Sequence, residues 1–168
     1  NNFEVINSKI YSIFDYLYKQ YTTQRRAYLQ KHKKVSNYDS ENLMYALIDD
    51  IITENKYFSL DVVCHFPLNM LIKDPVLLNE QECQYAMNPA THVDFLIYNR
   101  VSKKPVLAIE VDGYKYHEEN TVQASRDLMK NHILELYEIP LLRFNTNGSR
   151  EKLKIVEELK NYFVMSNI

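Results

Sequence analysis

"THVDFLIYNRVSKKPVLAIEVDG", Thr91 to Gly113, is the stretch that decides how this chain folds. Two apolar runs, "THVDFLIYN" and "PVLAIEVD", flank "NRVSKK", whose residues have turn character. Runs of that length, rich in Val, Ile, Phe and Tyr, read as strands, and two so close in sequence pair as a hairpin. Asp94 interrupts the first run, and Glu110 and Asp112 end the second. A carboxylate buried in a sheet is costly unless it is paired or bound to a cation. Strand side chains alternate, so Glu110 and Asp112 share a face. If the two strands pair, Asp94 and Glu110 converge on one place.

Working outward, residues 3–21 carry Ile6, Ile10, Ile13, Phe14, Leu17 and Tyr21 at helical spacing. "QRRAYLQKHKK", Gln24 to Lys34, follows, with five Lys/Arg residues and His32. It reads either as a solvated helix face or as a phosphate-contacting surface. A second helix is expected from Ser40 as cap, with Leu43, Leu47 and Ile51 on its apolar face. "SLDVVCH" (59–65) reads as a strand and "NEQECQYAM" (79–87) as a short helix. After the hairpin, a helix over 121–137 places Val122, Met129, Ile133 and Leu136 inward. "IPLLRF" is a short strand, and Ser149 caps a last helix over 150–164. This order implies an α/β fold, a central mixed sheet flanked by helices, with additional N-terminal helices. Residues 1–37 form a helical extension in this reading, and 38–168 the α/β domain.

Composition narrows the class. At 168 residues and 46% hydrophobic content, the chain has material for one core, and with two glycines and balanced charge it is not a disordered chain. A net charge of −2 argues against tight, autonomous nucleic-acid binding, while leaving room for a local basic face. Cys64 and Cys83 lack C-x-x-C spacing, so they read as thiols in a reducing compartment, the cytoplasm. No apolar run is long enough for a membrane span and no signal peptide is visible, so no membrane partner is expected. The first residue is Asn rather than Met, and the chain is read as a piece of something longer.

Three carboxylates on one patch repel one another, which raises their pKa values unless a cation neutralises them. A hard divalent ion such as Mg²⁺ or Mn²⁺, held by Asp94, Glu110 and Asp112, would do so, and could bind a phosphate and activate water. Gly113 frees the chain to turn, bringing Lys115 and His117 back over the site, with His117 suited to proton transfer. Gln123, Arg126, Asp127 and Lys130 form one polar stripe on the next helix. Arg126 and Lys130 could hold a phosphate there, and Arg143, a cation in an apolar strand, could pair with the acids. His65, His92 and His132 have no evident partners and read as structural.

The run "VDFLIYN…VLAIEVDGYKYH…RDLMKNHILELYEIPLLRF" resembles the PD-(D/E)XK nuclease superfamily. Within it, the run is similar to the very-short-patch-repair-endonuclease-like branch and to the C-terminal nuclease-like domain of superfamily I DNA helicases. The resemblance covers about residues 91–146 by motif, and 38–164 more loosely. It implies a restriction-endonuclease-like fold, metal-dependent cleavage of DNA, and a helicase domain in the same parent chain. By position, Asp94 and Glu110 match the family's metal-binding acids, and His117 matches the histidine after the "DG" turn. Glu41 matches an additional N-terminal acid, or else compensates the dipole of its own helix. The family motif ends E-x-K, whereas this chain reads Glu110-Val111-Asp112. Lys130 from the helix is then the first choice to supply the missing cation, and Lys115 the second.

Two further functions fit the sequence. One is a catalytically inactive nuclease-like fold that binds DNA or docks to a partner. The other is an interaction module whose surface is the helix bearing Tyr11, Tyr16, Tyr18 and Tyr21. Those tyrosines would otherwise cover the domain's own core.

Overall fold

A computed structural model describes residues 2–112, 121–145 and 150–166 of the chain. Helices α1 (Asn2–Gln30) and α2 (Asp39–Glu54) come first. Strand β1 (Leu60–Pro67) leads through α3 (Leu68–Leu71) and α4 (Glu80–Met87) to the hairpin of β2 (His92–Asn99) and β3 (Pro105–Asp112). Helix α5 (Thr121–Leu136), strand β4 (Leu141–Asn145) and helix α6 (Glu151–Ser166) complete the chain. The four strands lie in sequence order; β1–β2 and β2–β3 are antiparallel and β3–β4 parallel. This mixed sheet flanked by helices is the α/β class expected, and its layout is compatible with the restriction-endonuclease-like architecture.

The hairpin sits at the centre because its residues are apolar on both faces, as buried strands are. Phe95, Ile97, Leu107 and Ile109 pack with Met44, Ile48 and Ile51 of α2 and Ile155 and Leu159 of α6. Leu96 and Ala108 face the other way, onto Leu68, Ala86, Ile133 and Leu134. Each fully buried Ile, Leu or Phe contributes roughly 1.5–3 kcal/mol by leaving water. The turn closes where the Asn99 side chain accepts from the N–H groups of Val101 and Ser102.

Several local expectations shift. Helix α1 continues through Gln30, so Arg25 and Arg26 belong to it. Helix α2 begins at Asp39 without a side-chain cap, and its buried residues are Met44, Ile48 and Ile51 with Asn42 and Ala46, not Leu43. Asn42 clamps the connection from α1: its Oδ1 accepts from the N–H groups of Val35 and Ser36, and its Nδ2 donates to the carbonyls of Ser36 and Tyr38. In α5, Val122 is exposed while Ile133, Leu134 and Lys130 are buried. The short helix α4 starts with a reciprocal cap between Asn79 and Glu82.

Helix α1 departs most from a core reading. Ile10, Ile13, Leu17 and the tyrosines at 11, 16, 18 and 21 are all exposed, so those tyrosines do not cover this domain's core. Among the described residues the C-terminal part of α1 docks on α2 through Tyr28 and the following His32, both bonded to Asp50, and through Arg25, whose Nη2 lies 3.6 Å from Asp39.

Candidate functional site

The last register pair of the β2–β3 ladder on this side is Phe95–Ile109. One step beyond, the ladder is replaced by side chains. The Asp94 N–H donates to Glu110 Oε1 at 3.3 Å, and Asp94 Oδ2 accepts from the Val111 N–H at 2.8 Å. The two acids thus meet across the strand end, as their positions in the hairpin require.

Pairing with β4 adds the first cation. Parallel register sets Arg143 beside Glu110. Arg143 Nη1 lies 3.2 Å from Asp112 Oδ1, 3.6 Å from Asp127 Oδ1 and 3.8 Å from Glu110 Oε2. The crossover helix α5 adds the second. Lys130 Nζ donates to Glu110 Oε2 and to the His92 carbonyl, both at 2.9 Å. Gln123, one turn before, donates to Asp127. Lys130 and Glu110 are 9% and 6% exposed, so this ion pair is cut off from water.

Burial, and then the charge of Asp94, raise the Glu110 pKa; Lys130 and Arg143 oppose the rise. Burial likewise pushes the nearby Tyr85 hydroxyl to about 12. Asp94 and Glu110 fit a divalent ion: two adjacent carboxylates with residual like-charge repulsion, each keeping lone pairs. Asp112 fits less well, because its Oδ1 is taken up by Arg143. Arg126 is exposed and makes no hydrogen bond or salt bridge among the described residues. Gly113, Lys115 and His117 lie outside the described residues, as does Ser149.

Glu41 sits in the first turn of α2, and its carboxylate reaches the sheet. Its Oε2 is buried, makes no hydrogen bond, and lies 3.3 Å from His65 Nε2. His65 and His92, read as structural from the sequence, have partners here. Their rings stand edge to face with centroids 5.2 Å apart. One ligand atom each from His65, His92 and Asp94 falls within 4.8 Å of the others. His132 lies 3.5 Å from Glu82. The alternation His92-Val93-Asp94 was a legible signal for a shared face; the arrival of His65 from β1 depends on strand register and was not.

The basic run also finds a place. Arg25, Arg26, Lys33 and Lys34 line a cleft between α1 and the start of α2, together with Tyr18 and Asn42. Arg25 Nε is buried there without a hydrogen-bond partner.

Among the described residues no helix is long and apolar enough to cross a membrane. No curated protein and no solved structure matches the chain. A family model does match over residues 33–162, which takes in α2, the whole sheet and most of α6. The chain therefore belongs to DUF2726, a family described as of unknown function.

Proposed function

We propose that this chain is a divalent-metal-dependent DNA endonuclease domain that hydrolyses phosphodiester bonds. The observation that supports this most is the pair Asp94–Glu110, two carboxylates joined across a strand end with Lys130 2.9 Å from Glu110. Asp94 and Glu110 would hold Mg²⁺ or Mn²⁺, which supplies a Lewis acid for the phosphate and a more acidic water. Lys130 favours the ionised form of Glu110 and puts a positive charge where the E-x-K lysine is otherwise expected. Arg143 gathers Asp112 and Asp127 and adds a guanidinium beside the same acids, suited to developing phosphate charge. The cleft with Arg25, Arg26, Lys33 and Lys34 offers a track for the DNA backbone. In this reading the domain works in the cytoplasm as part of a larger helicase-type protein, and His117 handles the proton.

The test is cleavage of supercoiled plasmid by the purified chain with Mg²⁺ or Mn²⁺. Asp94→Asn and Glu110→Gln should each abolish nicking while the far-ultraviolet spectrum is kept. Unchanged cleavage in both variants overturns the reading. One observation favours a second reading, a nuclease-like fold that binds without cutting: Lys130 and Arg143 already pair with Glu110, Asp112 and Asp127 from within the chain. DNA binding without cleavage, and with no heat of Mg²⁺ or Mn²⁺ binding, would establish that alternative.

A further inference from the structure

We infer that His65, His92 and Asp94, backed by Glu41, form a second metal site, selective for a divalent transition ion over Mg²⁺. His65 reaches Asp94 from β1, on one flank of β2, whereas Glu110 reaches it from β3 on the other, so the two sites share Asp94. No step of DNA cleavage enters the inference, so it stands whether or not the chain is a nuclease.

Four observations converge. First, the donors are two imidazoles and one carboxylate, with one atom of each inside 4.8 Å. Tetrahedral ligands at roughly 2.0–2.2 Å from one first-row ion lie about 3.3–3.6 Å apart. Small ring rotations close that gap. Second, each imidazole has one nitrogen near an acceptor: His92 Nδ1 is in hydrogen-bond contact with the Ala90 carbonyl at 3.0 Å, and His65 Nε2 lies 3.3 Å from Glu41 Oε2, close to it but not yet hydrogen-bonded. A ring that gives one N–H to a carbonyl or carboxylate presents the other nitrogen's lone pair to a metal. Third, Glu41 Oε2 is buried with no hydrogen bond. A metal on His65 would make that ring a stronger donor and satisfy this oxygen. Fourth, His65 holds a left-handed backbone, φ 50°, inside a strand. The β1–β2 pairs run Cys64–Phe95 and then Phe66–Val93, skipping the residue between. Such a conformation costs of order 1–3 kcal/mol in a non-glycine residue and gathers at functional positions.

The ligand chemistry selects the ion. Imidazole suits Zn²⁺, Ni²⁺, Co²⁺ and Fe²⁺, and two histidines with one carboxylate leave coordination positions open to water or a ligand. Mg²⁺ prefers oxygen donors throughout. His65 is exposed, so an ion has direct access.

The probe is Co²⁺ added to the intact chain, read by its visible absorption and by titration calorimetry, with Mg²⁺ in parallel. The wild-type chain should bind one Co²⁺ much more tightly than Mg²⁺ at this site. His65→Asn, which tolerates the left-handed backbone, and His92→Ala should lose the band. Glu41→Gln should weaken binding by roughly 10–100-fold, as removal of a ligand's supporting partner does. Glu110→Gln, which disarms the carboxylate pair of the nuclease reading, should leave the band in place. Ring ¹⁵N shifts of His65 and His92 on Zn²⁺ addition test the same site in the wild-type chain, without relying on a variant that folds. No Co²⁺ band, equal binding in the histidine variants, loss of binding in Glu110→Gln, or unmoved ring shifts would each overturn the inference.

Discussion

Replacing Lys130 by Met tests the centre of the site through stability alone. The ammonium is buried, 2.9 Å from Glu110 Oε2, and also bonded to the His92 carbonyl. At that separation, with an effective dielectric near 20, the attraction is about 6 kcal/mol, against which stands the cost of dehydrating both ions. Removing one partner of such a pair typically costs about 3–5 kcal/mol, because the other charge is left buried. Arg143, 3.8 Å from the same oxygen, keeps part of the compensation, so about 3 kcal/mol is expected. For a chain of this size that corresponds to a fall of roughly 6–12 °C in Tm. The pH dependence has a definite sign. The folded Glu110 pKa already lies above its ordinary value of 4.5, chiefly through burial, and losing Lys130 raises it further. A raised carboxyl pKa gives stability that is full below the unfolded value and is lost as pH rises through the folded one. The penalty of Lys130→Met is therefore larger at neutral pH than in mild acid. Adding Glu110→Leu should recover most of the loss, since two well-packed apolar groups replace a buried pair with little cost. Urea unfolding of the single and double variants at both pH values measures all of this. A Lys130→Met penalty below about 1 kcal/mol, or one that does not change with pH, would refute the argument.

Further outcomes follow from other parts of the fold. Ile48 is fully buried and Ile13 exposed, so Ile48→Ala should cost about 2–5 kcal/mol and Ile13→Ala within about 0.5, measured by denaturant unfolding. The hydrogen bond to Asp50, then the Tyr28 carbonyl, raise the His32 pKa above 6.5, with Asp49 adding to the effect. The attachment of α1 to α2 should thus be strongest below pH 6.5 and loosen as pH rises through the folded value, a trend that His32→Asn removes from amide exchange of residues near Tyr28. If the basic cleft carries DNA, Lys33→Gln with Lys34→Gln should lower the salt slope of binding by up to about 0.9 per lysine that touches phosphate. An unchanged slope would take the cleft out of the interface.

How far the sequence could be read is clearest at the hairpin. Apolar runs and turn residues located β2 and β3 almost to the residue, and with them the meeting of Asp94 and Glu110. The face of α5 was harder. Val122 continued an apolar period yet lies exposed, while Lys130 is buried because Glu110 awaits it below. Periodicity counts apolar residues and has no means of ranking a lysine whose burial is compensated by a partner far along the chain. The tyrosines of α1 show the converse, since aromatic content signals a surface to be covered but not what covers it.

What the sequence by itself determined was the local order: helices, strands, the hairpin and the carboxylates at its end, all set by short-range period and turn chemistry. Register and packing decided the rest. Only the parallel pairing of β3 with β4 sets Arg143 among Glu110, Asp112 and Asp127. Only the antiparallel pairing of β1 with β2 brings His65 to His92 and Asp94, with Glu41 descending from α2. These contacts join residues 16 to 33 positions apart, and a sliding strand of one residue would send each side chain to the opposite face. The long-range pairing energy that selects one register belongs to the folded sheet and its two covering layers, and no segment of the chain carries it alone.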